Sequence, residues 1–280
     1  MQISITEMQL QKLKNVYRAN KFGGHSYVNE NIETEVNADD IDLTSFEIQS
    51  NLATKIWDGM ELNSRVRLQL LDIADDFIDF LNLDWVKPKD IVLTGSICNY
   101  NWSEYSDIDI HIIYDFTEID ENTDLIRSYV DAKKNEWLEN HDNLKIYGFD
   151  VELYVEDSNE SAISSGVYSL EKNEWVKEPS KEDMELHSTS EIKSLSAEIM
   201  TLIDDMETCY SAAMTDSDLE NLQEQLNSLI DVIKNMRKRE LSIGGEMAVG
   251  NIVFKTLRRE GYMDKLYELN NDIYDILNSL

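Results

Sequence analysis

Residues 93–116, LTGSICNYNWSEYSDIDIHIIYDF, decide the fold class of this chain. The stretch begins inside a short apolar run, IVLTG (91–95), which is typical of a buried strand closed by a glycine turn. It ends in DIDIHIIYDF (107–116), where acidic and β-branched residues alternate. That period of two predicts a strand with one polar face, so both aspartates of DID lie on the same side of a sheet.

Helical and strand patterns alternate on both sides of this stretch. The predicted elements are a helix over 61–83, a helix over 123–140, a strand over 145–157 and a hairpin over 166–179 that turns at Lys172–Asn173. Because helices and strands are interleaved, we expect an α+β fold in which helices flank a mixed β-sheet.

Beyond Pro179 the pattern is almost entirely helical. Two stripes of leucine and isoleucine, over 192–203 and 219–233, have the spacing of helices that bury one face against each other. The segment 251–280 is helical again, so an α-helical domain is expected after the sheet. The expected parts are an N-terminal helix with an acidic arm (1–50), a core (51–180) and a helical domain (181–280).

The composition restricts the class of protein and its partners. The 280 residues include 56 acidic and 25 basic side chains, a net charge of −31, and 42% are hydrophobic. We therefore expect a packed core and no general binding to polyanionic nucleic acid or membrane surfaces. Cys98 and Cys209 are too few for a disulfide scaffold and too far apart for a zinc motif, which indicates reduced thiols and a cytoplasmic setting. We expect no membrane span and no signal peptide.

The pair Asp107 and Asp109 stands out because of its context. One residue in five is acidic, so a pair of acids two residues apart is expected by chance at roughly 4% of positions. Here the two carboxylates lie among isoleucines on a strand, where they repel each other unless a cation neutralises them. Their oxygens suit Mg²⁺. Gly95 and Ser96, at the end of the preceding strand, offer backbone N–H groups and a hydroxyl to a phosphate.

This combination resembles the signature of the DNA polymerase β-like nucleotidyltransferase superfamily. In that signature a strand leads into Gly-Ser and a short helix, then into Asp-x-Asp on the next strand, with a third acid on a later strand. The resemblance covers residues 61–157. The LTGS turn and the VELYV strand also resemble compact members carried by bacteriophages, which would act in the host cytoplasm.

The resemblance implies a role for each matched residue. Gly95 and Ser96 would hold the β- and γ-phosphates of a nucleoside triphosphate such as ATP. Asp107 and Asp109 would be catalytic and would bind Mg²⁺ or Mn²⁺.

The third acid would be a further metal ligand that also deprotonates the acceptor hydroxyl. It falls on the strand 148–155, where Asp150 and Glu152 both qualify because each is flanked by apolar residues. Glu152 is favoured because it lies deeper in the strand, and Asp150 stays the alternative.

Three further features have two interpretations each. Ser165, after the third acidic strand, is either a contact to ribose or phosphates or part of a plain turn. Residues 234–265 hold eight basic and four acidic side chains, and Lys255 and Arg258 among them either bind the triphosphate or an RNA acceptor or pair with acids of the first domain. The loop aromatics either stack on a base or pack on the protein; they are Tyr100, Trp102 and Tyr105.

The implied function is metal-dependent transfer of a nucleoside monophosphate from a triphosphate to an acceptor hydroxyl, with release of pyrophosphate. The nucleotide is expected between the two domains. The acidic composition favours a small or cationic acceptor, the basic C-terminal region favours RNA, and a protein acceptor is also within the range of the superfamily. The alternative is a catalytically inactive nucleotide-binding or protein-interaction module of the same fold.

Overall fold

The computed structural model describes residues 36–141, 143–160, 165–181 and 188–279. In this part of the chain there are two compact units, a sheet unit from residue 44 to 181 and a helical unit made of residues 36–43 and 188–279. The expected N-terminal helix lies outside the described residues. The predicted limits of the three parts stay predictions.

A mixed sheet forms the centre of the sheet unit. A short hairpin that the sequence pattern did not predict comes first, β1 (Trp57–Asp58) with β2 (Glu61–Leu62). The six strands of the main sheet are β3 (Asp90–Thr94), β4 (Ile108–Tyr114), β5 (Lys145–Ile146), β6 (Phe149–Asp157), β7 (Val167–Ser169) and β8 (Glu174–Lys177). Their order is β5-β6-β4-β3-β7-β8, with β4 and β6 parallel and the other neighbours antiparallel. The predicted mixed sheet is confirmed.

The alternation in β4 orients its two faces as the sequence predicts. Ile108, Ile110 and Ile112 are fully buried, whereas Asp109 and His111 on the opposite face are only partly buried. The parallel strand β6 follows after a crossover helix, because parallel neighbours cannot be joined by a tight turn. The polar face of β4 therefore continues onto the same face of its parallel neighbour β6.

Three helices cover the sheet. They are α1 (Ser64–Leu81), α2 (Phe116–Ile119) and the crossover helix α3 (Thr123–Asn140). Helix α1 begins where the Asn63 side chain accepts a hydrogen bond from the Arg65 N–H, and it ends at Asn82 in the left-handed region. These caps satisfy backbone groups that the helix itself leaves without a partner. The helix predicted over 123–140 is confirmed, and the one predicted over 61–83 is confirmed for Ser64–Leu81, because Glu61–Leu62 form β2 instead.

One predicted strand is interrupted. The alternation over 145–157 predicted a single strand, but Tyr147 and Gly148 have φ of 51° and 97° and form a turn between β5 and β6. The glycine adopts this left-handed backbone at little cost, which allows the chain to reverse here. The hairpin expected over 166–179 is confirmed as β7 and β8, with Asn173 at φ 56° in its turn.

The helical unit contains four long helices within the described residues. They are α4 (Thr189–Ala212), α5 (Asp216–Gly244), α6 (Val249–Arg259) and α7 (Tyr262–Asn278). Both predicted stripes are core, because their leucines and isoleucines are mostly buried. The segment expected to be helical from 251 is divided into two helices by Gly261, at φ 78°. No helix of the described chain is long and apolar enough to cross a membrane.

Candidate active site

Three acidic side chains of the sheet unit converge at one point. Asp107 directly precedes β4, Asp109 lies on β4, and Glu152 lies opposite Asp109 in the parallel register of β6. One carboxylate oxygen from each lies within 4.8 Å of the other two, and all three side chains are partly buried. We refer to these residues as the acidic triad. Adjacent parallel strands produce this grouping because residues in register lie side by side on one face.

Asp150 does not join this group. It lies near the start of β6, is exposed, and forms an ion pair with Lys145 on β5, with Nζ and Oδ1 2.7 Å apart. Of the two candidates for the third acid, the structure therefore brings Glu152 to Asp107 and Asp109 and leaves Asp150 paired elsewhere. The catalytic role of either residue stays a prediction.

The donor set of the acidic triad fits a hard divalent cation. All three ligand atoms are carboxylate oxygens, the type that Mg²⁺ and Mn²⁺ prefer, and they lie close enough to hold one ion. Three carboxylates at this spacing also repel one another, and a bound cation would relieve this repulsion.

Gly95 brings the turn after β3 directly against the acidic triad. Thr94 pairs with Asp109 across the antiparallel β3–β4 register, and Gly95 follows with φ at 75°. A Cβ atom at this position would collide with the Asp109 carboxylate. Only glycine therefore satisfies both the backbone conformation and the close approach.

Ser96 opens a short 3-10 turn, Ser96–Cys98. Its hydroxyl donates to Ser106 Oγ at 2.8 Å, and Ser106 Oγ in turn accepts from the Ser103 N–H at 2.9 Å. Ser96, the predicted phosphate contact, is thus hydrogen-bonded to the loop that leads directly into Asp107. The turn and the acidic triad are linked at two points, through Gly95 and through this pair of serines.

Asn99 is a residue of the site that the sequence reasoning missed. It is fully buried, its Nδ2 donates to the Gly95 carbonyl at 2.6 Å, and its Oδ1 accepts from Ser165 Oγ at 2.7 Å. A Cβ at Gly166 would collide with the Cys98 carbonyl. Ser165 and Gly166 therefore pack against the turn, so the structure brings Ser165 to the predicted phosphate site through Asn99. The sequence feature that could have identified Asn99 is a polar residue three positions after Ser96.

A second missed group lies beside Glu152 on the same sheet face. The Tyr154 hydroxyl donates to Glu152 Oε2, and the Tyr154 ring stacks on His111 with centroids 4.7 Å apart. Lys134 Nζ on α3 lies 3.2 Å from the centroid of the Tyr154 ring. Burial, followed by the hydrogen bond to Glu152, raises the pKa of Tyr154, so its hydroxyl stays a donor. His111 also contacts Glu156, with Nδ1 and Oε1 2.8 Å apart, and this bond lowers the pKa of Glu156.

Two of the three loop aromatics pack on the protein. Trp102 Nε1 donates to the Asn51 carbonyl at 2.8 Å, and the Tyr100 ring lies under Lys181 Nζ at 4.4 Å. Tyr105 is 59% exposed. Of the aromatics considered for base stacking, Tyr105 is therefore the one whose ring is presented to solvent.

Several basic residues of the C-terminal region have acidic partners inside the helical unit. Lys255 Nζ lies 3.4 Å from Glu246 Oε2, and Lys265 Nζ lies 2.7 Å from Asp204 Oδ1. Arg258 is exposed on α6. The triphosphate-binding role of Lys255 and Arg258 stays a prediction.

Comparisons with known proteins agree with the geometry of the sheet unit. Residues 74–179 match the family model of the nucleotidyltransferase domain, a range that includes the Gly95–Ser96 turn and the whole acidic triad. No curated protein matches the chain. A solved structure, a STING-associated CdnE c-di-GMP synthase from Capnocytophaga granulosa, is 11% identical, with 98% of this chain and 100% of that chain covered. Its TM-score of 0.22 is too low to carry an argument.

The bacteriophage likeness stays a prediction, because these matches do not bear on source. The matched family, the mixed sheet and the order of turn and acids agree with the resemblance seen in residues 93–116. Residues 74–179 of this chain are therefore similar to nucleotidyltransferase domains, as the resemblance predicted.

Proposed function

We propose that the protein transfers a nucleoside monophosphate from a nucleoside triphosphate to an acceptor hydroxyl. The observation that carries the proposal is the convergence of Asp107, Asp109 and Glu152 beside the Gly95–Ser96 turn. A phosphate-binding turn next to three converging carboxylates is the equipment that phosphoryl transfer needs, because this chemistry depends on positioning and on neutralising charge.

Each part of the site has a distinct task in this reaction. The backbone N–H groups and the hydroxyl of Gly95–Ser96 hold the β- and γ-phosphates. The acidic triad would hold Mg²⁺ or Mn²⁺, which when bound lowers the pKa of the acceptor hydroxyl and neutralises charge on the triphosphate. Glu152 takes the proton of the acceptor hydroxyl.

The proposed reaction is an in-line displacement at the α-phosphorus. The acceptor oxygen forms a bond to the α-phosphorus, the bond from the α-phosphorus to the bridging oxygen breaks, and pyrophosphate leaves with the electron pair. Tyr154 holds Glu152 Oε2 by its hydrogen bond, which restricts the rotamers of the acid that receives the proton.

The nature of the acceptor is the open part of the proposal. The net charge of −31 favours a small or cationic acceptor over a polyanion. The basic residues of the helical unit, the feature that favoured RNA, include Lys255 and Lys265, which have acidic partners nearby. We therefore rank a small molecule or a protein side chain above RNA.

A labelling experiment tests the proposal. The protein is incubated with each α-³²P-labelled triphosphate, with Mg²⁺ or Mn²⁺, and with a pool of RNA, protein and small metabolites. We expect label in one fraction, and none with the Asp107→Asn/Asp109→Asn variant. The charge-matched control is Asp75→Asn/Asp79→Asn on the exposed face of α1, which should label as the wild type does.

The outcomes separate the two functions considered. Label that depends on the acidic triad supports transfer and identifies the acceptor class. Metal-dependent nucleotide binding without label in any fraction or in free nucleotide products would favour the inactive binding module. Absence of both binding and label would contradict the proposal.

A further inference from the structure

Lys134 is a cation placed beside the acidic triad by a helix that contributes none of the three acids. Its Nζ lies 3.2 Å from the centroid of the Tyr154 ring, and the hydroxyl of the same tyrosine donates to Glu152. The lysine side chain is partly buried. A cation over an aromatic ring gains from the ring quadrupole, which helps to hold the ammonium group in this place.

The topology explains why a residue of α3 reaches this site. Helix α3 connects the parallel strands β4 and β6, so it runs in the opposite direction to both. Its second half therefore lies beside the beginnings of the two strands, which is where Asp109 and Glu152 are located. Lys134 belongs to that second half.

Two contacts fix α3 against α1. The Tyr129 hydroxyl donates to the Leu81 carbonyl at 2.6 Å, and the buried Trp137 ring packs edge-on against Phe77 with centroids 5.4 Å apart. These anchors lie one turn or so on either side of Lys134. The helix thus presents the ammonium group at a defined position.

The acidic groups around Lys134 are those of the acidic triad and Asp131 on its own helix. Burial lowers the pKa of Lys134, whereas Glu152, Asp109, Asp131 and Asp107 act against this effect and favour the charged form. The site therefore combines a partly desolvated ammonium group with all three triad carboxylates.

The adjacent Lys133 has different neighbours. Its Nζ lies 2.9 Å from Glu136 Oε2 and 4.5 Å from the centroid of the Phe80 ring. The two lysines lie on the same helix, carry the same charge and each lie over an aromatic ring, but only Lys134 has the triad acids among its charged neighbours.

We propose that Lys134 is the resident counter-charge of the acidic triad, which it stabilises in the metal-free protein and for which it competes with divalent cations. The inference rests on the proposed function only in treating the acidic triad as a cation site. Its physical basis is that an ammonium group and a metal ion are attracted by the same carboxylates and repel each other. The acidic triad therefore binds a divalent cation more weakly in the presence of Lys134 than the three carboxylates would without it.

This proposal predicts that removing the charge of Lys134 raises the affinity for Mn²⁺. A substitution that merely damaged the site would lower that affinity. Lys134→Met removes the charge and keeps a long apolar side chain over Tyr154. We expect the metal-free variant to bind Mn²⁺ more tightly by on the order of tenfold, the size of effect expected when one neighbouring cation is removed in partly buried surroundings. Lys133→Met changes the net charge equally and should bind Mn²⁺ as the wild type does.

The measurement is titration of the full chain with Mn²⁺ alone, with free Mn²⁺ read by electron paramagnetic resonance. Asp109→Asn identifies the part of the binding that belongs to the acidic triad. Lys134→Arg keeps the charge and should retain affinity close to that of the wild type. If Lys134→Met does not fold, Lys134→Gln takes its place.

The results separate the failure of this inference from failure of the proposed function. Equal Mn²⁺ affinities for Lys134→Met and Lys133→Met, or weaker binding by Lys134→Met, would overturn the counter-charge role and leave nucleotidyl transfer intact. Wild-type binding no stronger than that of Asp109→Asn would overturn both, because the acidic triad would then not be a cation site.

Discussion

The acidic triad and the acidic face of α1 consist of the same kind of residue in opposite surroundings. Along α1, four aspartates lie on the exposed side of the helix; they are Asp72, Asp75, Asp76 and Asp79. Water screens most of their mutual repulsion. In the triad, two parallel strands bring three carboxylates to one partly buried point, and Tyr154 and Lys134 contribute a hydrogen bond and a charge. Backbone geometry, rather than the number of acids, distinguishes a converging, partly buried cluster from a solvated one.

The largest effect is expected where an acid of the triad loses its charge. Glu152→Gln keeps the shape of the side chain and removes the carboxylate that we propose takes the acceptor proton. We expect the rate of label transfer to fall by roughly 10³-fold, within the range for loss of a general base. The measurement is transfer of α-³²P label to the acceptor at saturating triphosphate.

Asp150→Asn is the matched variant for Glu152→Gln, because it neutralises an acid two positions away on the same strand. Asp150 is paired with Lys145 and lies outside the acidic triad. We expect its transfer rate to stay within a factor of about 2 of the wild type, as for most surface substitutions. A large loss for Asp150→Asn with little loss for Glu152→Gln would reverse the assignment of the third acid.

A methyl group at Gly95 should break the contact between the turn and the triad. Gly95→Ala introduces a Cβ that collides with the Asp109 carboxylate and strains a backbone at φ 75°. We expect a loss of roughly 10²-fold in kcat/KM for the triphosphate, because displacements of about 1 Å at a reacting centre have effects of this size. Gly148→Ala carries the same kind of strain at φ 97° but meets no atom within 4 Å. If both variants lose activity equally, strain and not the contact is responsible.

The sequence predicted the elements that hold the site better than it predicted the connections within it. The alternation of β4 located Asp107 and Asp109 on one face, since a period of two needs no tertiary information. Asn99 and Lys134 were missed because their partners lie on other elements, and only the sheet order and the crossover helix bring them together. The choice between Asp150 and Glu152 also depended on strand pairing, because both lie on the same side of one strand.

Asn99→Ala is expected to reduce stability more than activity per molecule of folded protein. The substitution removes the Asn99 donor to the partly buried Gly95 carbonyl, which keeps the Cys98 N–H as a donor, and it frees Ser165 from the turn. We expect the free energy of unfolding to fall by about 2 kcal/mol, because two hydrogen bonds of a buried side chain are lost at about 1 kcal/mol each. Urea denaturation measures this difference. Asn140→Ala, which removes an exposed bond to the Glu136 carbonyl, should change it by less than about 0.5 kcal/mol.

The smallest effect is expected on the acidic face of α1. Burial raises the pKa of Asp75, and the charges of Asp72, Asp79 and Asp76 add to that effect. A carboxyl whose pKa is higher in the folded than in the unfolded state destabilises the fold while it is ionised, and this cost disappears as the pH falls through the raised pKa. Asp75→Asn should therefore raise the free energy of unfolding at neutral pH by about 0.3 kcal/mol, the size of one like-charge pair on a helix surface.

Urea denaturation at neutral pH and near pH 3 tests this expectation for Asp75. The gain from Asp75→Asn should be present at neutral pH and vanish near pH 3, where the wild-type carboxyl is largely protonated in both states. A gain that persists at the lower pH would mean that the asparagine acts through packing or hydrogen bonding. The same substitution should leave Mn²⁺ binding at the acidic triad unchanged, since Asp75 is exposed and water and salt screen an exposed charge. A change in Mn²⁺ affinity would show that the charge of Asp75 acts on the acidic triad. The two acidic regions would then not be electrostatically independent.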